Sequence, residues 1–403
     1  MHLASFLFFA LLLFVGCRTQ IPTDLSEVKL KTQIQRTHKP VVFVPGIKGS
    51  FLQDVDNSTY WLNSPQALGL STPDLRLVGN SKNLEPKGAI DRITAIPFIL
   101  DVAIYAPWLG NASSFENVDF YVFSYDWRKD NLKTRDRLSA FLAEIGKHYE
   151  EKPILIGHSM GGMLSFSATN QNPKLVSKLV LVAVPFRGGI GYMKDLYVGN
   201  PTGLNSKIQA PCVIAKYESV YSFFPRINTN DSQGLVLNES DQVIPLDFFK
   251  ESVWREHQLG FYSKQCKQEE IPTPSEFQVI LNRAKEFRQS LDLTPQFLKS
   301  VPPVLVIHAD NRPTRKAFKR MKQTELKENQ QQSFYWDLEV VPREAGDGSV
   351  LYQHSLPPDG FTYTTFKSQF EHSVILNDES VQKSIFDFLN EPTNENLMKG
   401  KGK

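Results

Sequence analysis

The chain is poor in cysteine, in excess charge and in long apolar runs. It holds 3 cysteines in 403 residues, too few for a disulfide scaffold, and none stands in the C-x-x-C or His-rich spacing of a metal site. No metal or other cofactor is therefore expected, and the hydrophobic core must carry the stability. Basic and acidic residues number 45 and 43, a net charge of +2. The basic residues are spread along the chain, so the electrostatic footprint that nucleic acid requires is missing, and nucleic acid is excluded as a main partner. The N-terminal apolar run, Phe6 to Val15, ends well short of the about 20 residues a membrane-crossing helix needs. A second stretch, Ile90 to Leu109, is interrupted by Asp91, Arg92, Pro97 and Asp101, which exclude a span there too. What is present is a composition with 41% hydrophobic residues, enough to bury a large core.

The N-terminal run reads as the apolar part of a signal peptide over residues 1–17. It ends in Val15-Gly16-Cys17, a sequence similar to the lipobox of bacterial lipoproteins, in which the cysteine is acylated. Export to a membrane-anchored state through Cys17 is the expectation. Secretion with a free cysteine is the alternative, because the segment before the run has only His2 as a basic side chain and Phe14 stands where leucine is usual. Residues 18–38 are polar and aperiodic, as a tether is, and 391–403 form a polar tail. Cys212 and Cys266 remain, either paired or as buried thiols.

The folded part spans 39–390. Val41-Val42-Phe43-Val44 is a short apolar run stopped by Pro45-Gly46, the pattern of a buried strand entering a loop. Similar runs recur at Val118 to Ser124, Ile154 to Gly157, Leu179 to Val184, Val304 to His308 and Phe334 to Val341. Leu138, Phe141, Leu142, Ile145 and Tyr149 follow helical spacing between two of them. Buried strands alternating with amphipathic helices predict an α/β fold, a mostly parallel sheet flanked by helices. Two irregular segments, about 51–115 and about 191–300, read as lid or cap insertions. The aromatic side chains of the second, Tyr217, Tyr221, Phe223, Phe224, Phe248, Phe249, Trp254, Phe261 and Tyr262, either line an acyl groove, face a bilayer or pack as ordinary core, and core packing is the simpler reading.

Gly157-His158-Ser159-Met160-Gly161 is a G-x-S-x-G placed after an apolar strand and before a helical stretch. Small residues are needed there because the serine sits on a sharp strand-to-helix turn that exposes its Oγ. A serine is a weak nucleophile without a histidine base and a carboxylate to orient it, in the chain order Ser, acid, His. His257 lies within the cap and His308 ends a strand, where a satisfied core histidine is expected. His372, on a loop before a last amphipathic helix, is preferred to His354. For the acid, Asp310 follows one strand and Asp347 stands between Gly346 and Gly348 after another.

Val44-Pro45-Gly46-Ile47-Lys48-Gly49-Ser50, Trp61-Leu62-Asn63, Tyr125-Asp126-Trp127-Arg128, the Ser159 motif, Pro185-Phe186-Arg187-Gly188-Gly189, Gly346-Asp347-Gly348-Ser349-Val350 and Glu371-His372-Ser373 occur in this order. Together they resemble the successive motifs of the lecithin:cholesterol acyltransferase family, which includes lysosomal phospholipase A2 and the phospholipid:diacylglycerol acyltransferases. The resemblance covers most of 40–390. It implies an α/β-hydrolase with a triad of Ser159, Asp347 and His372, and an oxyanion hole from the backbone N–H groups of Ile47 and Met160. It also implies that Ala309 to Phe318 connects a strand to a hairpin, which leaves Asp310 outside the triad. Asp126 and Arg128 read as a structural ion pair. One departure is the absence of any cysteine in 51–90, where family members often close a lid with a disulfide.

The expected function is therefore a serine-dependent lipid acyl hydrolase or O-acyltransferase, with an acyl lipid as substrate, water, an alcohol or a sterol as acceptor, and a membrane surface as partner through Cys17. The alternatives are a general carboxylesterase or thioesterase on small esters, and a hydrolase-fold lipid-binding lipoprotein without turnover.

Overall fold

Five of the apolar runs become strands because both of their faces are covered. In the computed structural model, which describes residues 37–77, 83–96, 100–226, 234–264, 266, 271–322 and 334–392, they are β1 (Lys39–Val44), β2 (Val118–Val122), β3 (Ile154–His158), β4 (Lys178–Val182) and β5 (Val304–His308). The expected signal peptide, Cys17, and most of the tether and tail lie outside the described residues. A sixth strand, β6 (Thr364–Lys367), joins them in the order β6-β5-β4-β3-β1-β2. Every pair in this sheet is parallel.

Helices cover both faces: α1 (Ala106–Ser113), α2 (Asn131–Ile145), α3 (Met160–Gln171), and, at the end of the chain, α6 (Glu379–Asn390). Alternate residues of β1 feed two cores. Val41 and Phe43 pack with Trp108 and Leu109 of α1 and Ile385 and Phe388 of α6, whereas Val42 and Val44 face Leu138, Phe141, Met163 and Leu164 of α2 and α3. Asp130 caps α2 by accepting a hydrogen bond from Leu132 N–H at 2.8 Å. The helix ends at Ile145, so Tyr149 is buried just beyond it rather than on its last turn.

Two sequence expectations need correction. The run Phe334 to Val341 is not part of the parallel sheet: only Phe334–Asp337 is a strand, and it pairs antiparallel with Phe318–Lys322 in a separate three-stranded sheet. Its alternation of buried Trp336 with Tyr335, which is 47% exposed, is that of a strand covered on one face only. The segment 51–115 is likewise not all lid, since α1 within it is packed on the central sheet through Trp108. The segment 191–300, expected as a cap, lies between β4 and β5 and contains α4 (Gly191–Val198) and α5 (Pro274–Gln289). Cys212 and Cys266 form a disulfide there, with Cα atoms 5.3 Å apart. Its aromatic side chains mostly form a core around fully buried Trp254, with ring centroids of Tyr221 and Phe224 each 5.1 Å away.

Candidate active site

β3 runs straight into Ser159, which has φ 55° and ψ −122° before α3 begins at Met160. This is a left-handed backbone that costs a non-glycine residue about 1–3 kcal/mol. The turn survives because its neighbours are glycines. A Cβ on Gly157 would stand 2.6 Å from Gly162 Cα, and one on Gly161 would stand 2.2 Å from the Val44 carbonyl at the end of β1. Ser159 N–H donates to the Val182 carbonyl at 2.9 Å, which ties the turn to β4.

Ser159 Oγ lies 2.9 Å from His372 Nε2, and His372 Nδ1 lies 2.7 Å from Asp347 Oδ2. An ionised carboxylate only accepts, so His372 Nδ1 carries the proton and Nε2 is left to accept from Ser159 O–H. Asp347 is 1% exposed. Its other oxygen accepts from the N–H groups of Ser349 at 2.9 Å and Val350 at 2.6 Å. Burial alone would raise the Asp347 pKa, but the charge and hydrogen bond of His372 and these two amides hold it below the ordinary value. For His372 burial works downward, and the charge of Asp347 with its hydrogen bond overcomes it, so the imidazole is raised above 6.5. The backbone joins the pair as well, His372 N–H donating to the Asp347 carbonyl at 3.0 Å. Such a line can pass a proton from Ser159 to His372 while the carboxylate steadies the imidazolium.

The other candidates are engaged elsewhere. Asp310 is half-buried and pairs with Lys367 at 2.6 Å. His257 Nδ1 accepts from Arg320, on the strand Phe318–Lys322, at 3.2 Å. His354 reaches the cavity beside Ser159 but its Nδ1 donates to the Gly188 carbonyl at 2.9 Å. His308 is buried beside the Tyr352 ring, 4.7 Å between centroids, yet its Nδ1 has no partner among the described residues, so the satisfied core histidine expected there is only partly so. Asp126 and Arg128 form a two-point ion pair at 2.8 and 2.7 Å, and Arg128 also donates to the Leu75 carbonyl. Both are buried, and neither lines the cavity.

Among the described residues, the N–H groups of Ile47 and Met160 have no acceptor. Ile47 sits in the turn Gly46 to Gly49, closed by Gly49 N–H to the Gly46 carbonyl at 3.0 Å. That turn is held to the serine turn by two side chains that the sequence reading did not single out. Gly46 N–H donates to Tyr105 Oη at 3.1 Å, and Tyr105 O–H donates to His158 Nδ1 at 2.7 Å. His158 Nε2–H then donates to the His372 carbonyl at 3.0 Å. Burial, helped by the charge of His372, pushes the His158 pKa down to about 3, so this ring stays neutral and keeps one donor and one acceptor. Tyr105 had no sequence signal, since it lies at the irregular entry to α1. His158 was visible only as the variable position of the motif.

These groups open on a cavity of about 620 Å³ lined by apolar Ile93, Ile104, Ile190, Phe223 and Leu235, together with Lys48, Asp195 and Arg315. Phe223 stacks on Tyr192, 4.6 Å between ring centroids.

Residues 39–196 match the α/β hydrolase fold family. No curated protein matches the chain. Among solved structures, the Tle4–Tli4 complex aligns at 14% identity over 87% of this chain and 98% of that one, with a TM-score of 0.53. Bacillus licheniformis lipase BlEst2 in its mature form aligns at 14% identity over 89% and 95%, with a TM-score of 0.39. The chain has the α/β-hydrolase fold, with its parallel sheet flanked by helices.

Proposed function

We propose that the protein is a serine-dependent acyl hydrolase or O-acyltransferase acting on ester-linked acyl lipids. The reading is carried by the line from Ser159 Oγ through His372 to Asp347, at 2.9 and 2.7 Å. As Ser159 Oγ bonds to the ester carbonyl carbon, His372 Nε2 takes the hydroxyl proton. The carbonyl oxygen, now an oxyanion, meets the N–H groups of Ile47 and Met160, and losing one such donor typically costs ~10²- to 10³-fold in rate. Collapse of the intermediate breaks the ester C–O bond, and His372 returns the proton to the departing alkoxide. Water or an alcohol then attacks the acyl-enzyme by the same steps, with Asp347 holding Nδ1–H throughout.

A lipid ester is favoured by the apolar lining of the cavity and by the ordered motifs shared with the lecithin:cholesterol acyltransferase family. A fluorophosphonate probe tests the chemistry. It is expected to label the wild type and not Ser159→Ala, and an unlabelled wild type would leave a lipid-binding protein without turnover. Mixed phospholipids given with a sterol or fatty alcohol then separate the acceptors, free acid reporting water and new ester reporting the alcohol. Turnover of short soluble esters with no preference for aggregated lipid would move the reading to a general carboxylesterase. We further propose that acylated Cys17 holds the protein on a membrane, each buried CH₂ adding ~0.8 kcal/mol. Cys17→Ser should release it into the aqueous phase of a detergent partition, and equal partitioning would refute the anchor.

A further inference from the structure

The base His372 and Asn377 stand at opposite ends of one short 3₁₀ helix, His372–Asn377. Asn377 Nδ2 donates to the carbonyls of Ala103 and Ile104, each at 3.0 Å. The next residue is Tyr105, which joins the Gly46 turn to His158. His158 in turn donates to the His372 carbonyl. The contacts therefore close a circuit, from Asn377 through Ile104 and Tyr105 to His158 and His372, and back along the helix. Asn377 Oδ1 is buried and has no partner among the described residues. Turned over, the amide would press this oxygen against two carbonyl oxygens, so the two N–H donors fix its orientation. An unpaired buried oxygen is a cost that a side chain merely filling space would not carry. Ser368 O–H donates to Asp378 Oδ2 at 2.7 Å, and both side chains are buried, which closes the neck of the loop 368–378. With its neck closed the loop shifts as one piece, and a displacement at Asn377 reaches His372.

We infer that Asn377 is a positioning residue for acyl transfer: by tying the helix of the base to the segment of Tyr105, it keeps His372 in register with the Ile47 amide. Asn377 is not part of the cavity wall, so it acts through His372 and Tyr105. A second tie between neighbouring parts of the chain lies outside the circuit. Asn111 Nδ2, on α1, donates to Gln382 Oε1, on α6, at 2.6 Å. The inference rests on the acyl-transfer reading of Ser159, and adds to it how the base and the oxyanion donor are held together.

Asn377→Leu removes both donors at similar volume, and Asn377→Ala serves if the leucine variant does not fold, as judged by thermal melts. On one p-nitrophenyl ester kcat should fall by roughly 10- to 100-fold, the scale of a catalytic group slightly misplaced from a distance. KM should stay within about twofold. In a Tyr105→Phe background the circuit is already open, so the same change should cost less than about threefold. Asn111→Leu should lower the melting temperature while keeping kcat within about twofold. The His372 pKa, read by NMR titration of the histidine-labelled chain and assigned with His372→Gln, should fall in Asn377→Leu, because a loosened helix weakens the contact with Asp347 that raises it. Asn111→Leu should leave it in place. Fully additive losses with Tyr105→Phe, an unchanged His372 pKa in Asn377→Leu, or an equal loss of kcat in Asn111→Leu overturns the inference. The titration does not depend on turnover, so failure of the fluorophosphonate probe to label Ser159 would sink the acyl-transfer reading and leave the circuit to be judged on the imidazole.

Discussion

Replacing Tyr105 by phenylalanine removes one oxygen and leaves two buried groups without partners, the Gly46 N–H and His158 Nδ1. A buried polar group left unsatisfied costs about 1–3 kcal/mol, and part of this is recovered because the tyrosine hydroxyl itself no longer has to be desolvated. A net loss of about 1–3 kcal/mol follows. For a domain of this size the unfolding entropy is on the order of 0.7 kcal/mol per degree, so the melting temperature should fall by about 1–4 °C. The catalytic effect is separable. Gly46 precedes the Ile47 donor, and a loosened donor cannot cost more than its removal, ~10²- to 10³-fold. We expect kcat to fall by roughly 10- to 100-fold with little change in KM, since the contact with the oxyanion exists only in the transition state. Calorimetry and steady-state kinetics on one p-nitrophenyl ester, run well below the melting transition, measure both. A kcat within about twofold of wild type alongside the lower melting temperature would show that Tyr105 is merely structural, and an unchanged melting temperature would refute the hydrogen-bond assignment itself.

Asp347→Asn should cost about 10⁴-fold in turnover by presenting the wrong imidazole tautomer to Ser159, whereas Asp310→Asn, which breaks only the pair with Lys367, should cost less than about tenfold; the reverse ranking on one ester would overturn the choice of acid. Activity should rise with pH through the His372 pKa, so the acid limb of kcat/KM lies above 6.5, and Asp347→Asn should move it below, because burial then acts alone. A limb at or below 6.5 in the wild type would contradict the pairing. In stability the signs are opposed. The raised His372 contributes fully below its unfolded value and loses this as pH rises through its folded value, while the depressed Asp347 contributes above its unfolded value and loses this as pH falls through its folded one. Phe223→Ser should impair long-chain ester turnover more than short-chain turnover, because remote binding energy serves only the long substrate. Phe249→Ser, at a buried residue outside the cavity wall, should impair both alike, and the opposite pattern would move the acyl site.

The strands legible in the sequence are those that are mostly or wholly covered. β3, β4 and β5 are buried throughout, so their apolar runs need no alternation to be recognised. β6 went unseen for the opposite reason: at the sheet edge, Thr364–Lys367 exposes most of its side chains and reads as a loop. Phe334 to Val341 misled because aromatic residues on a one-sided hairpin give the same short run. At the site, Ser159 was marked by steric need for its flanking glycines, and His372 by its place before the last amphipathic helix. Tyr105 was invisible because a hydrogen bond across 53 residues leaves no spacing pattern behind. The pairing of Cys212 with Cys266 was equally unreadable, being set by the packing of the cap rather than by sequence distance.

The hydrogen bonds that join Gly46, Tyr105, His158, His372 and Asp347 draw on segments spread over most of the chain. During vectorial synthesis the serine turn emerges long before its base. A nascent chain made only as far as β5 contains Ser159, yet it contains neither Asp347 nor His372. His158 then lacks the carbonyl it donates to, so the link that holds the Ile47 turn is open at one end. By the order of the motifs along the chain, the proposed line from Ser159 to Asp347 would stay incomplete until the segment bearing His372 has docked.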